Sequence, residues 1–148
     1  MVPFLLPMAI VMIVLLATSL ILFVRFFQLA TPELALVRRD RSHPRPVLLA
    51  GGAFGSQSRF DRLVMSERDV VLDASGLVVT LRPRTDATSV LSIVERVGCD
   101  AANDPVRLGS QLDGVDSGSA SDVRALVQTW VDERAPGFEV VAAVRRSR

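Results

Sequence analysis

The stretch from Val2 to Val24, VPFLLPMAIVMIVLLATSLILFV, contains no charged residue, and Thr18 and Ser19 are its only hydroxyl-bearing interruptions. At about 1.5 Å of rise per residue, roughly 20 apolar residues in helical form cross a hydrocarbon core about 30 Å thick. The run therefore predicts a transmembrane helix within residues 1–27. A cleavable signal peptide would carry a basic start, a shorter apolar region and a small-x-small site soon after it. Here no Arg or Lys precedes the run, Arg25 follows it, and Gln28-Leu29-Ala30 has the wrong residue at the first small position. An uncleaved anchor is the expectation.

Charge sets the expected orientation. Arg25, Arg38, Arg39, Arg41 and Arg45 follow the span closely, against Glu33 and Asp40, so residues 28–46 form a basic juxtamembrane segment. Basic residues favour the cytoplasmic side, which predicts a single-pass inner-membrane protein with its C-terminal part in the cytoplasm. The same arginines are candidates for contact with anionic headgroups, at about 1 kcal/mol per basic side chain near the surface; setting topology alone would account for them equally well. The formal net charge of +1 hides this asymmetry: both ends of the soluble part are basic, while the middle carries more acids than arginines. No concentrated basic face with aromatics stands out there, which argues against nucleic acid as a partner.

Beyond the span the pattern is that of a small α+β domain over residues 47–148, with one mixed sheet and about two helices. ELALV begins a first strand within the juxtamembrane segment, and VLLA is a second apolar run ended by glycines. VVLDASGLVVTL consists of two apolar runs around a short Gly-bearing loop, a hairpin signal. Asp86 or Ser89 caps a helix in which Val90, Leu91, Val94 and Val97 share a face and Gly98 is the stop, although SVLSIV also suits a strand. GSQLDGVDSGSAS, residues 109–121, reads as a mobile surface loop. Ser119 and Asp122 then open a helix whose core face is Val123, Leu126, Val127, Trp130 and Val131, ended by Pro136-Gly137; FEVVAAV is a closing strand.

The candidate chemistry is sparse. Ala50-Gly51-Gly52-Ala53-Phe54-Gly55 misses the G-x-G-x-x-G dinucleotide fingerprint by its first glycine. Phe60, Leu63 and Val64 have helical spacing after it, and Asp73 lies at about the separation of a ribose-binding acid, so Gly52, Gly55 and Asp73 are the residues of an alternative reading: a membrane-anchored nucleotide-binding or redox accessory protein. The missing glycine, the following hairpin and a soluble part of only about 120 residues count against that reading. The single cysteine, Cys99, reads as a small buried hydrophobe, and the single histidine, His43, as a loop residue without a second ligand beside it. Neither has a recognisable catalytic partner, and no G-x-S-x-G elbow occurs, so the expectation is a protein without enzymatic activity, cofactor or metal.

In its order of features the chain resembles the membrane-proximal part of the stomatin, prohibitin and flotillin (SPFH or band-7) superfamily, nearest its bacterial flotillin-like branch. The resemblance rests on the membrane segment, on TPELALV, on the basic connection, on the turn at Gly51 to Phe54, on VVLDASGLVV, and on VDERAPGFEVVAAV from Val131 to Val144. The proline usual after the glycine turn is missing, and the helical middle is abbreviated. The long Ala/Glu-rich coiled coil of flotillins does not follow within these residues. What the resemblance implies is a scaffold rather than an enzyme, with membrane lipid and other membrane proteins as partners; a homo-oligomer stays open. The glycine turn is then expected to be a tight strand connection with Phe54 packed beneath it.

Overall fold

A computed structural model of the chain describes residues 5–39, 45–72, 76–114 and 122–146. Leu5–Phe26 forms helix α1, and none of its residues is buried against the rest of the protein. Its 22 residues give a length of about 33 Å at the usual helical rise. With a mean hydropathy of 2.7 over an 18-residue stretch, it is long and apolar enough to span a membrane. Strand β1 (Phe27–Leu29) begins at the very next residue, with no linker.

After β1 come β2 (Leu34–Arg38), β3 (Val47–Leu49), β4 (Gly52–Phe54), β5 (Phe60–Val64), β6 (Arg68–Leu72) and β7 (Leu77–Pro83). Helices α2 (Ala87–Arg96), α3 (Cys99–Asn103), α4 (Pro105–Leu112) and α5 (Val123–Arg134) follow, and β8 (Phe138–Arg145) is last. The α+β class holds, but the details differ from the sequence expectation. Among the described residues there are three small sheets in place of one: a β1-β4 ribbon, a β3-β2-β5 sheet and a β6-β7-β8 sheet. Every strand pair among them is antiparallel, so none of these sheets is mixed. Four α-helices follow the span among the described residues, where the sequence suggested about two.

The β6-β7-β8 sheet is the floor of the core. β7 alternates strictly, burying Leu77, Val79, Leu81 and Pro83, as a strand does when one face is covered and the other wet. On the wet face Thr80 Oγ1 donates to Asp69 Oδ1 at 2.6 Å, and Arg82 pairs with Glu67 at 3.4 Å and Glu139 at 3.1 Å. Helix α4 lies directly on β6: a Cβ added at Gly109 would sit 3.0 Å from the Val71 carbonyl oxygen, so the approach needs glycine. Helix α5 lies along β8, where Gln128 accepts from Val140 N at 2.7 Å and donates to Phe138 O at 3.1 Å. Gly137 (φ +97°) turns the chain between them, and any Cβ there would collide with Ser89 O at 2.4 Å.

Helix α2 forms where the capping signal predicted it, with Asp86 accepting from Ser89 N at 2.9 Å and Val97-Gly98 closing it. Hydrogen bonding from the Ser89 side chain, and next from its backbone N–H, holds the Asp86 carboxyl below the usual carboxylate range. The strand alternative for SVLSIV is thereby excluded; the buried residues of α2 are Val90, Ile93 and Val94. On α5, Val127 and Val131 are buried, Val123 and Trp130 pack partly buried against the core, and Leu126 is 38% exposed, so Leu126 is not a core residue. Asp122 stands at the N-cap of α5 without a side-chain capping bond, and Ser119 lies outside the described residues.

The expected loop over residues 109–121 begins too early: Gly109–Leu112 is the last turn of α4, with Leu108 and Leu112 buried. Residues 115–121 lie outside the described residues. The helical spacing read at Phe60, Leu63 and Val64 belongs instead to strand β5, which pairs with β2. The juxtamembrane segment is also no separate piece. Leu36 and Val37 of β2 are both buried, so the central strand of its sheet is covered on both faces.

Candidate functional site at the base of the membrane helix

The transition from α1 to the domain is built of phenylalanines. Phe23, on the last turns of α1, stacks on Phe27 of β1 with ring centroids 4.8 Å apart. Phe54 of β4 packs against Phe23 at 6.4 Å and Phe26 at 6.1 Å. The backbone ties the same point, since Gly55 N donates to Phe26 O at 2.9 Å. Phe27 and Phe54 are cross-strand partners and Leu29 is opposite Gly52, so these residues form one face of the ribbon, with Gln28 and Ala53 on the other. The outer face is apolar and open, with Phe54 64% and Leu29 60% exposed. Gln28, on the inner face, is buried, and neither of its side-chain polar atoms has a hydrogen-bond partner.

The glycine-rich stretch has a packing role here. Gly51 makes the turn between β3 and β4, and a Cβ at Gly52 would lie 2.7 Å from Phe27 Cζ, so the Phe27 ring occupies the space a side chain would need. A Cβ at Gly55 would press on the Phe60 ring at 3.0 Å. The turn is followed by strand β4 and, after a single 3-10 turn at Gln57–Arg59, by β5. The helix N-terminus on which a dinucleotide loop sets its phosphates therefore does not follow these glycines. Asp73, the third residue of that reading, lies outside the described residues. Phe54 is not packed beneath the turn, as the sequence suggested; it points out to meet the end of α1.

Next to the ribbon runs an apolar groove of about 440 Å³, lined by Thr31, Pro32, Leu34, Leu48, Ala50 and Met65 among others, with no charged residue in its wall. It is framed by the first loop after β1, the β3 edge of the middle sheet and the start of α2.

The basic residues singled out in the sequence are spread over this end of the molecule. Arg25 is exposed on the last turn of α1, Arg38 is exposed at the end of β2, and Arg45 is exposed just before β3. Arg39 Nε pairs with Asp61 Oδ2 at 3.1 Å in an open setting. Arg41 and His43 lie outside the described residues.

Elsewhere, polar groups serve the fold. Arg84 pairs with Asp132 at 3.1 Å and Arg124 Nε donates to Val140 O at 3.1 Å, binding α5 to its sheet. Arg68 is half-buried and donates to the Val64 and Ala102 carbonyls, and burial lowers its pKa. Asn103 completes the same tie, accepting from Val64 N at 3.0 Å and donating to Arg62 O at 2.7 Å. Cys99 is buried at the start of α3, and burial pushes its thiol up to about 11, which leaves it a neutral packing group at physiological pH. Among the described residues no group of three His, Cys, Asp or Glu side chains is placed to hold a metal ion.

Sequence reading missed the ribbon, although a signal was present: Phe23, Phe26 and Phe27 cluster at the C-terminal end of the apolar run. No family model matches the chain, and no curated protein matches it.

Proposed function

We propose that this protein is a single-pass, membrane-anchored scaffold or accessory subunit that organises neighbouring membrane proteins or lipids through a small flotillin-like α+β domain in the cytoplasm, acting by position and without catalysis. The observation that carries the reading is the continuous passage from α1 into β1, locked by the Phe23-Phe27 stack and the Gly55-Phe26 hydrogen bond. An anchor joined through a long flexible linker would leave its domain free to roam. A domain joined through paired backbone holds a fixed height and facing at the bilayer. The groove beside the ribbon then lies within reach of the juxtamembrane segment of a neighbouring protein, and its uncharged wall suits an apolar segment.

Crosslinking in native membranes tests this reading. A photoreactive amino acid at Leu48, on the groove wall, is expected to capture a discrete set of membrane proteins. The same group at exposed Val106 on α4 is expected to capture few of them. Identical capture from both positions would refute a specific role for the groove. Orientation has a separate test: in a Cys99→Ala background, a cysteine placed at Arg146 should resist a membrane-impermeant thiol reagent in intact cells and react once the inner membrane is opened.

A further inference from the structure

We infer that the outer face of the β1-β4 ribbon, carrying Phe27, Leu29 and Phe54, is a lipid-binding surface seated in the interfacial layer of the phospholipid bilayer. The inference rests on α1 crossing the membrane and adds a point of contact beyond the span itself.

Three observations identify lipid as the occupant. First, the face is continuous with the span: β1 starts where α1 ends, and the Phe27 and Phe54 rings pack onto Phe23 and Phe26 of the last helical turns. Any bilayer that surrounds α1 up to Phe26 meets these rings immediately. Second, the face is apolar and uncovered, with Phe54 64%, Leu29 60% and Phe27 36% exposed, while the opposite face places Gln28 inside the protein. In water such a patch would be a liability; at the boundary between headgroups and acyl chains, aromatic and aliphatic side chains are at home. Third, the ribbon's own hydrogen bonds satisfy backbone groups on the facing edges of its strands, which makes a paired ribbon better suited than single irregular chain to a layer poor in water.

This contact differs in kind from headgroup attraction by the arginines. Apolar insertion persists without anionic lipid and at high salt; attraction by Arg25, Arg38 and Arg45 weakens under both conditions. The two contacts together restrain both the height and the tilt of the domain.

The test uses the full chain in phosphatidylcholine vesicles, with the sole tryptophan removed by Trp130→Phe and a single reporter introduced as Phe54→Trp or, separately, Leu16→Trp. Thermal unfolding matching the Trp130→Phe background shows that each variant is folded. Lipids brominated near the headgroup end of the acyl chain are expected to remove most of the Phe54→Trp fluorescence. Lipids brominated near the chain end should act most strongly on Leu16→Trp. Strong quenching at position 16 with none at position 54, where emission is then that of a water-exposed indole, would overturn the inference and leave the span intact. Absence of quenching at both positions would overturn the span and this inference with it. Quenching at position 54 that requires anionic lipid and disappears at high salt would also overturn it, because the arginines would then be what brings the ribbon to the surface.

Discussion

The layer of the domain next to α1 and the layer beyond it are held together by different means. The far layer, sheet β6-β7-β8 with α2, α4 and α5, supplies nearly all of the buried cluster, including Val70, Val79, Leu81, Ile93, Leu108, Val131 and Phe138. The near layer gives Val37 and Leu63 to that cluster and packs Ala35, Leu48 and Met65 against its edge. Its outermost part, the ribbon, has three residues per strand and exposes its largest side chain. Two-stranded ribbons are marginal on their own in water. The comparison teaches that the far layer is held by side chains buried within the domain, whereas the ribbon makes its closest aromatic contacts with the end of α1.

The widest separation between the layers is expected from paired truncations. Phe138→Ala empties a site with no solvent exposure and should cost about 3–5 kcal/mol. Phe54→Ala should change stability in detergent by no more than about 0.5 kcal/mol, as surface changes do. Denaturant unfolding of the two variants in the same micelles would erase the contrast if their losses matched.

The tie between the layers comes next. Asn103 bridges β5 from α3 through bonds of 3.0 Å and 2.7 Å, so Asn103→Ala should cost about 1–3 kcal/mol by leaving the partly buried Val64 N–H without its acceptor. Hydrogen exchange would sharpen this, with protection lost first at Val64 in β5 and retained in β7. Loss spread evenly over both sheets would mean that the layers unfold as one unit.

A smaller effect depends on pH and reports on Cys99 of α3, within the shared buried cluster. The Cys99 thiol is held neutral in the fold up to about 11, while an unfolded thiol ionises near 8.5. The folded pKa is the higher one, so the contribution of Cys99 is complete below about pH 8.5 and is lost as the pH rises toward the folded value. Cys99→Ala should flatten stability across that alkaline window, as measured by unfolding at several pH values. Iodoacetamide should modify the native thiol slowly at pH 8 and rapidly only after unfolding.

A small, salt-sensitive change is expected at the exposed Arg39-Asp61 pair, where the side chains are 61% and 41% accessible. Arg39→Gln should alter stability by less than about 1 kcal/mol, and salt should abolish the difference. A larger loss in vesicles than in detergent would indicate that this arginine acts on lipid.

Much of the far layer was legible in the sequence because its signals are local and repeated. β7 alternates over a full strand, Gly76 marks the turn between β6 and β7, Asp86 caps α2, and α5 repeats its apolar face before Pro136-Gly137. Helix α4 escaped notice because Gly109 and Ser110 sit inside it, although Asp104 as N-cap and Pro105 at its first turn are a start signal. β5 was misread because Phe60, Leu63 and Val64 satisfy a helical spacing over too few residues to separate the two periods.

The membrane-length helix was fixed by sequence alone: an uncharged apolar run of that size has one economical backbone conformation, in which every hydrogen bond is made within the segment. The ribbon was decided by tertiary structure alone. Strands of three residues carry no readable period, and the meeting of Phe27 with Phe54 depends on the middle sheet folding the intervening chain back to the base of α1. Side-chain pattern reports what one segment will bury, but it does not report which distant segment will come to cover it.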